Sequence, residues 1–355
     1  MKILYGLPSE GMGHATRSQV IIAHLLKNHD VRIVTSDRAY KFMEEHFPGK
    51  VFQIRGFHLA YNDGSVSKSK TFTSLLKSAP QDLMENFNKY QKVHKEFKPD
   101  LVISDFESFS FFFAKTHKLP LISIDNMQVI NRCTMDIDIP KEEKENYLIA
   151  KNIIKVKVPN CNYYLITSFF DAPIKKKNTE LVPSIVREKI IAAAKKKKKN
   201  KNHILVYQTS SSQKNLISIL QEASKDIFHV YGFNKSENHG NVILKPFSED
   251  AFIEDLASAK AVITNGGFTL ISEAVYLNKP VCSVPIKKQF EQFVNGAFIE
   301  KAGFGRHFDE FTSDGIKSFL YDIDIFQKNI NPYKQNGNIE TLKKLDDIID
   351  MTAKK

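Results

Sequence analysis

The sequence predicts an α/β protein made of two doubly wound domains, each with a parallel sheet covered by helices. Short β-branched and aromatic runs alternate with helix-length periodic segments, which is typical of βα units and parallel sheets. The chain has 355 residues, which suits two domains at roughly 100–200 residues each. A Lys-rich stretch between Lys175 and Lys201 separates two sets of strand candidates. We therefore expect two sheets joined by a basic connection.

The first set of strand candidates consists of short apolar runs bounded by polar or turn residues. They are residues 2–6, 31–35, 51–56, 101–104, 121–124 and 163–167. Helical periodicity covers residues 16–27 and 83–95 between them. The run at residues 101–104 is followed at once by Asp105, so a carboxylate is expected at the carboxyl end of a buried strand.

The second set begins near His203 and follows the same pattern. Its strand candidates are residues 203–208, 228–231, 242–244, 261–264 and 281–284. The predicted organisation is an N-terminal domain at 1–174, a basic linker at 175–202, a C-terminal domain at 203–333 and a closing segment at 334–355. A helix is predicted at about residues 339–351. The sequence does not decide which domain it packs on, so a return of the chain to the N-terminal domain stays open.

Composition excludes several classes of protein. Hydrophobic residues make up 42% and charged residues 26%, which excludes a disordered tail, a collagen-like rod and a small disulfide scaffold. The three cysteines (Cys133, Cys161, Cys282) fit neither a disulfide framework nor a Cys-x-x-Cys metal site, so we expect a reducing cytoplasm and no metal. No signal-peptide pattern and no apolar run of ~20 residues is present, so no membrane span is expected.

The positive charge is concentrated in one segment. The chain carries a formal net charge of +11, and between Lys175 and Lys201 lie eleven basic residues and two acidic ones, a net +9. One interpretation is a solvated linker, and another is contact with anionic lipid headgroups at the inner face of the membrane. Nucleic-acid binding is not expected, because this segment has no aromatic residue to interleave with the lysines.

Two glycine-containing loops each follow a strand and open a helix. In the first, Gly11 and Gly13 precede His14 and Thr16, so unpaired backbone N–H groups at the helix start favour an anionic ligand. His14 would then project into a cleft. A tight turn with a solvated histidine is the alternative interpretation of the same pattern.

The second loop runs from Asn265 to Thr269 and favours a diphosphate at the N–H groups near Gly267. Glu273 follows Gly267 by six residues, or about 9 Å along a helix, which suits the ribose of the same nucleotide. Glu291 and Gln292, after the next strand, suit the hydroxyls of a sugar. Solvated surface glutamates remain the alternative at this point.

Together these segments resemble a known family. Gly266-Gly-Phe-Thr-Leu-Ile-Ser-Glu-Ala274, Leu277-Asn-Lys-Pro280, Glu291-Gln-Phe-Val-Asn295 and Lys301-Ala-Gly303 resemble the C-terminal half of nucleotide-sugar glycosyltransferases of the GT-B fold. These include the lipid-linked peptidoglycan N-acetylglucosaminyltransferase and the UDP-glucuronosyltransferases. Glu10-Gly-Met-Gly-His-Ala-Thr-Arg-Ser18 resembles their N-terminal loop. The resemblance implies two Rossmann-like domains facing a cleft.

The resemblance implies a role for each matching residue. The implied donor-binding residues are Thr209, Ser210 and Ser211 at the phosphates, Phe247 at the nucleobase, Asn265, Gly266, Gly267 and Thr269 in the diphosphate loop, Glu273 at the ribose, and Glu291 and Gln292 at the sugar. Gly11, Gly13 and Thr16 form the acceptor or phosphate loop. The chain departs from the plant enzymes' His-Cys-Gly-Trp, since it has Asn265-Gly-Gly-Phe268 there and no tryptophan anywhere.

The expected function is inverting, metal-independent transfer of a sugar from a nucleotide donor to a hydroxyl acceptor on a lipid, a glycan or a small molecule. UDP is the family's commonest carrier, and no cofactor is expected beyond this co-substrate. His14 is the preferred base, with Asp105 as its orienting partner or as the second candidate, and Glu107 is a weaker one. A UDP-sugar epimerase of the same fold is the alternative.

Overall fold

The computed structural model describes residues 1–9, 11–55, 61–62, 65–66, 88–89, 91–196, 202–209, 215–336 and 338–353. Ser210, Ser211, the lysines from Lys197 to Lys201 and residues 83–87 and 90 of the helix predicted at 83–95 lie outside the described residues. The described chain forms two seven-stranded sheets and a short two-stranded hairpin.

The first sheet is parallel throughout, with strands in the order β3-β2-β1-β6-β7-β8-β9. Its strands and the hairpin are β1 Lys2–Gly6, β2 Asp30–Thr35, β3 Val51–Gln53, β4 Tyr61–Asn62 and β5 Ser65–Val66 in the hairpin, β6 Leu101–Ser104, β7 Leu121–Asp125, β8 Tyr163–Ser168 and β9 Thr179–Pro183. The helices of this half are α1 Met12–Leu25, α2 Asp37–His46, α3 Ser108–Thr116, α4 Val129–Arg132 and α5 Lys144–Lys157, and residues 91–96 are also helical.

The second sheet has the order β12-β13-β11-β10-β14-β15-β16, with only β12 antiparallel to its neighbour. Its strands are β10 His203–Tyr207, β11 Ile227–Tyr231, β12 Glu237–His239, β13 Val242–Leu244, β14 Ala261–Thr264, β15 Val281–Ser283 and β16 Gly305–His307. The remaining helices are α6 Glu188–Lys195, α7 Leu216–Ala223, α8 Glu249–Ser258, α9 Phe268–Tyr276, α10 Phe290–Lys301, α11 Ser313–Tyr321, α12 Ile323–Ile330 and α13 Ile339–Ala353.

Both sheets change winding direction beside their first strand. The strand order reverses between β1 and β6 in the first sheet and between β10 and β14 in the second. In doubly wound sheets, ligands bind in the crevice outside the carboxyl ends of the strands at this point. The two doubly wound domains predicted from the sequence are therefore present, and each has its crevice at a glycine-containing loop.

Strand β9 lies inside the segment that the sequence analysis assigned to the linker at 175–202. It pairs in parallel with β8 from Thr179 to Pro183, so part of this segment is the edge of the first sheet. An edge strand needs little apolar sequence, and Val182 is its one buried residue. With one buried residue among many lysines, the strand could not be recognised from the sequence pattern. The linker predicted at 175–202 therefore began too early, because residues 179–183 belong to the first sheet.

Helix α13 packs on the first domain, the alternative that sequence analysis had left open. Leu345, Ile348 and Ile349 are buried in the same apolar cluster as Leu25 of α1 and Val182 of β9. The chain thus crosses to the second sheet and comes back. This return ties the end of the described chain to the domain in which it begins.

Aromatic side chains join the two domains beside the crevices. The rings of Phe170 and Phe298 are stacked with centroids 3.6 Å apart, and Phe169 contacts Phe268 at 5.9 Å. One apolar cluster accordingly contains residues from both sheets. None of the described helices is both long and apolar enough to span a bilayer.

We expect Ile349→Ala to destabilise the first domain by about 2–5 kcal/mol, because it removes a fully buried side chain that α13 contributes to the core. Met351→Ala is the matched control on the same helix, since Met351 is 53% exposed. Urea unfolding followed by circular dichroism measures both. Equal effects of the two substitutions would show that α13 does not support this core.

Candidate active site

A cavity of about 810 Å³ lies between the two domains. Residues from the loops after β1, β10, β14 and β15 contribute to its walls. Eleven of the residues predicted from the sequence line it, namely Gly11, Gly13, His14, Thr16, Thr209, Phe247, Gly267, Thr269, Glu273, Glu291 and Gln292. The fold therefore brings the two glycine loops and the neighbouring residues Glu291 and Gln292 into one space.

Three helices begin at this cavity without a side-chain cap. The residues before α1, α9 and α10 are Gly11, Gly267 and Gln289, and none of their side chains accepts a hydrogen bond from the helix start. No side chain therefore caps the first-turn N–H groups of these helices, and the helix dipoles add positive potential at the cavity. The arrangement suits an anion.

The helix starts of α1 and α9 touch across the domain boundary. The Thr269 hydroxyl donates to the carbonyl oxygen of Gly13 at 3.2 Å. A Cβ on Gly13 would lie only 2.7 Å from the Thr269 oxygen, so the absence of a side chain permits this approach.

His14 and Asp105 form a hydrogen-bonded pair at the switch point of the first sheet. His14 Nδ1 lies 3.0 Å from Asp105 Oδ1. Because the ionised carboxylate can only accept, Nδ1 carries the proton and donates it, which leaves the lone pair on Nε2. Arg17 Nη2 is also 2.7 Å from Nδ1, but this donor is directed to the same carboxylate oxygen. His14 lines the cavity, whereas Asp105 is fully buried behind it.

Arg17 and Ser18 complete the surroundings of Asp105. Arg17 Nε and the Ser18 hydroxyl each donate to Asp105 Oδ2 at 2.9 Å, and Arg17 Nη2 donates to Oδ1. Burial alone would raise the pKa of Asp105, but the charge of Arg17 and the hydrogen bonds from His14 and Arg17 outweigh burial and hold it well below its usual range. The carboxylate is therefore ionised and fixes the first two turns of α1.

Hydrogen bonds continue from this cluster to the second domain. Arg17 Nη1 donates to the Asn126 side-chain oxygen, and Asn126 Nδ2 donates to Glu291 Oε1 at 2.7 Å. Asn126 directly follows β7, and Glu291 is in the first turn of α10. A continuous path thus links the buried Asp105 to the acidic residue predicted to contact the sugar.

Glu273 is held by an arginine that the sequence analysis did not assign to the site. Arg187 Nε and Nη2 donate to the two Glu273 carboxylate oxygens, both at 2.7 Å, and Nη1 donates to Glu249 at 3.0 Å. Each carboxylate oxygen accepts two hydrogen bonds, so two acceptor positions of Glu273 are not used by Arg187. Arg187 itself lines the cavity.

Asn265 and Gly266 support the cavity from beneath rather than line it. Asn265 accepts from the Thr209 N–H at 3.0 Å and donates to Gln208, which joins the ends of β10 and β14. Gly266 has φ +89°, and a Cβ there would lie 2.8 Å from the carbonyl oxygen of Gln292. Neither residue lines the cavity, and their direct contact with a ligand stays a prediction from the sequence.

The cavity rim holds the other predicted residues. Phe247 is 59% exposed and borders the cavity together with Tyr207 and Phe252. The Gln292 side-chain oxygen accepts from the Ile286 N–H at 2.9 Å, which orients this side chain.

Glu107, the weaker base candidate, has a structural role. Its carboxylate accepts from the N–H groups of Phe109 and Ser110 at 2.7 Å each and so caps α3. It is 5% exposed and does not line the cavity.

One group of side chains in the described chain has the composition of a metal site, and it lies away from the cavity. Potential ligand atoms of His203, His229 and Asp255 are within 4.8 Å of one another. The two imidazole rings are stacked 4.3 Å apart, so their in-plane lone pairs do not converge. Asp255 also accepts from Tyr231 at 2.7 Å and from Lys245, whose ammonium group competes with a cation. These residues do not fit a metal in this arrangement.

Comparison with known proteins identifies the family. A family model described as glycosyl transferase family 1 matches residues 1–324. The chain belongs to this glycosyltransferase family. The resemblance stated from the sequence is thereby confirmed, and the protein is a glycosyltransferase.

The glycosyltransferase is also similar to individual proteins over nearly its whole length. It is 23% identical to an uncharacterized glycosyltransferase of Methanosarcina acetivorans, with 99% of this chain and 95% of that protein covered. Among solved structures, a Phytolacca americana UGT2 complexed with UDP-2fluoro-glucose and pterostilbene has a TM-score of 0.66 at 13% identity, covering 100% and 99% of the two chains. The glycosyltransferase VinC in complex with DTDP has a TM-score of 0.65 at 11% identity, with both chains fully covered. The structural likeness confirms the GT-B fold.

Sequence reasoning missed Arg17, Asn126 and Arg187 as parts of the site. Arg17 stood in the quoted loop, but nothing local shows that it meets a carboxylate 88 residues later. Arg187 looked like one of many basic linker residues, and Asn126 follows a strand with no motif around it. The sequence did contain one signal for Asn126. It directly follows the carboxyl end of a central strand, which is where ligands bind in doubly wound sheets.

Asp125, at the end of β7, makes the stability of the folded protein depend on pH. Burial raises its pKa to about 6, and the charge of Asp105 adds to this, while a hydrogen bond from Ser123 at 2.7 Å opposes it. The folded pKa exceeds the unfolded one, so the folded protein binds the extra proton between about pH 4 and pH 6. Stability from this group is therefore present at low pH and is lost as pH rises through about 6.

We expect Asp125→Asn to be more stable than the wild type at pH 7.5 by about 1–3 kcal/mol, with the difference shrinking as the pH falls and vanishing below about pH 4. The amide keeps an oxygen that accepts from the Gln128 N–H, as Asp125 does at 2.9 Å. Thermal unfolding of both proteins across this pH range measures the difference. A constant difference in melting temperature would contradict the assignment of the pH dependence to Asp125.

Proposed function

We propose that this glycosyltransferase transfers a sugar, with inversion and without a metal, from a nucleotide-sugar donor to a hydroxyl acceptor. One observation carries the proposal: His14, held by Asp105 with its Nε2 lone pair available, shares a cavity with Glu273 and the uncapped start of α9. The proposed base and the proposed nucleotide site would thus face the same space from opposite domains.

The donor would lie along α9. Its diphosphate would meet the N–H groups at the helix start near Gly267 and Thr269, and the ribose hydroxyls would donate to the two acceptor positions that Arg187 leaves on Glu273. Glu291 and Gln292 at the start of α10 would bind sugar hydroxyls. Phe247 would border the nucleobase, with Thr209 at the phosphates.

The proposed chemical step is a single displacement at the anomeric carbon of the donor sugar. The acceptor oxygen attacks the anomeric carbon on the face opposite the diphosphate, and His14 Nε2 accepts the acceptor proton. The bond from that carbon to the diphosphate oxygen breaks, and the nucleoside diphosphate leaves with the electron pair. The starts of α1 and α9 would stabilise the developing negative charge, because their dipoles point to the cavity.

UDP is our proposed carrier. The Phytolacca americana protein is complexed with a UDP sugar and VinC with DTDP, so both bind pyrimidine nucleoside diphosphates in a fold that this chain shares.

We further propose that the Lys-rich segment contacts anionic lipid and brings the enzyme to a lipid-linked acceptor. Arg187 and Lys189 do not contribute, because they pair with Glu273, Glu249 and Asp250. The contribution would come from the run that begins with Lys195 and Lys196 at the end of α6.

A donor screen tests the nucleotide site. We expect one of the UDP, dTDP or GDP sugars to bind in calorimetry, and Glu273→Gln to weaken it by at least about tenfold, because an amide cannot accept from both ribose hydroxyls. Glu249→Gln is the matched control, since it removes a charge from the other carboxylate partner of Arg187, and Glu249 does not line the cavity. Wild-type affinity in Glu273→Gln, or no binding of any donor, would refute the nucleotide site.

Turnover tests the base. We expect His14→Ala to lower kcat by about 10²–10⁴-fold with little change in donor affinity, measured as release of nucleoside diphosphate over a panel of hydroxyl acceptors. His24→Ala is the control, because His24 is on the same helix and pairs with Asp346 at 2.9 Å, away from the cavity. An unchanged kcat excludes His14 as the base. Turnover of the donor without any acceptor would instead support the epimerase alternative.

Vesicle co-sedimentation tests the lipid contact. We expect binding to vesicles that contain phosphatidylglycerol but not to pure phosphatidylcholine, and a loss when Lys195 to Lys199 are changed to Gln, at about 1 kcal/mol per lysine near the surface. Equal sedimentation of both proteins with both vesicles would leave a solvated segment as the interpretation.

A further inference from the structure

A second pocket lies on the opposite edge of the first sheet from the active-site cavity. It has a volume of about 340 Å³ and is formed at the amino-terminal ends of β8 and β9. The active-site cavity opens at the carboxyl ends of the strands, and the two pockets share no lining residue. This pocket is thus a separate place, and its volume is within the lower range of ligand sites.

Cationic side chains from three segments meet in this pocket, which we name the Arg132 pocket. Arg132 ends α4, Lys155 is on α5, and Lys176 and Lys177 precede β9. None of the lining residues is acidic. Between Asn146 and Lys177 the sequence has six lysines and only Asp171 as an acidic residue. The fold therefore concentrates charge that the sequence distributes over separate segments.

Arg132 is fixed in place at the centre of this group. Its guanidinium group stacks on Tyr164 at 3.6 Å, and it donates to the Thr179 hydroxyl at 2.7 Å and to the Lys177 carbonyl oxygen at 2.6 Å. The residue is 9% exposed, and no carboxylate within the described chain forms an ion pair with it. A buried, immobilised guanidinium group without a carboxylate partner is prepared for an external anion.

The lysines of the pocket repel one another. Lys176 Nζ donates to the Asn131 side-chain oxygen at 2.6 Å, so its ammonium group is held near Arg132. Burial lowers the pKa of Lys176, and the positive charges of Arg132 and Lys155 lower it further. A bound anion would remove this repulsion, and a dianion would do so more fully than a monoanion.

We propose that the Arg132 pocket binds the phosphate of a phosphomonoester. A carboxylate is matched by one bidentate arginine, whereas here donors approach from several directions, which suits the tetrahedral oxygens of a dianionic phosphate. The proposal does not rest on sugar transfer at the other edge of the sheet.

The phosphate can belong to a membrane lipid or to a soluble ester. Leu148 and Val156 on α5 are 56% and 71% exposed, and they are on the same helix as Lys155. Exposed apolar side chains beside cationic ones are typical of helices that lie at a lipid interface. A lipid headgroup and a soluble ester therefore share the chemistry, and the experiment separates them.

The test compares two triple variants of the full chain. Lys155→Gln, Lys176→Gln and Lys177→Gln together remove three charges from the Arg132 pocket and leave Arg132 in its packed position. Lys235→Gln, Lys317→Gln and Lys343→Gln remove the same charge at lysines that pair with surface carboxylates. Calorimetry with inorganic phosphate and sedimentation with vesicles containing phosphatidic acid are the two measurements. UDP binding by both variants is recorded in parallel, so a failure of the nucleotide proposal is seen separately.

We expect the pocket variant to bind inorganic phosphate at least about tenfold more weakly than the wild type, while the control variant stays within about twofold. A parallel loss of vesicle binding assigns the phosphate to a lipid, and unchanged vesicle binding assigns it to a soluble ester. Wild-type phosphate affinity in the pocket variant, or no phosphate binding by the wild type, overturns the proposal. Lys177→Glu alone provides a second variant that keeps the packed residues, and unaltered phosphate binding in it has the same consequence.

Discussion

The site depends first on the ionised, fully buried carboxylate of Asp105. A buried charge is expensive unless several donors compensate it, and here His14, Arg17 and Ser18 all do so from one helix. The carboxylate thereby sets the rotation of α1, the tautomer of His14 and the position of Arg17. Since Arg17 is also bonded to Asn126, and Asn126 to Glu291, the same charge helps to align the two domains.

The second domain repeats this principle with different roles. Glu273 is buried and compensated by Arg187, but unlike Asp105 it borders the cavity and keeps acceptor positions for a ligand. Asp255 is compensated by Tyr231, Lys245 and His229, and it stabilises the fold away from the cavity. Burial and hydrogen bonding are alike in these carboxylates, so position relative to the switch point distinguishes a site residue from a structural one.

The sequence predicted those features that depend on local pattern. Central strands are continuous apolar runs, so both sheets and the ends of β1, β6, β10 and β14 could be placed, and with them His14, Asp105 and the glycine loops. Arg187 meets Glu273 across 86 residues, and no local pattern encodes such a pairing. The edge strand β9 has only one buried side chain, so its sequence does not show the alternation of apolar and polar residues that identifies a strand. Asn265 and Gly266 were recognised in the loop, but only packing showed that they support the cavity from below.

The contact between Gly13 and Thr269 sets a lower limit on the distance between the two domains at the cavity. Two positive helix ends face each other there, and they repel one another when nothing lies between them. The hydrogen bond from Thr269 to Gly13 and the aromatic contacts beside it hold these ends together. An anion bound in the cavity would therefore meet the positive ends of both helices, because Gly13 has no Cβ that would keep α1 and α9 apart.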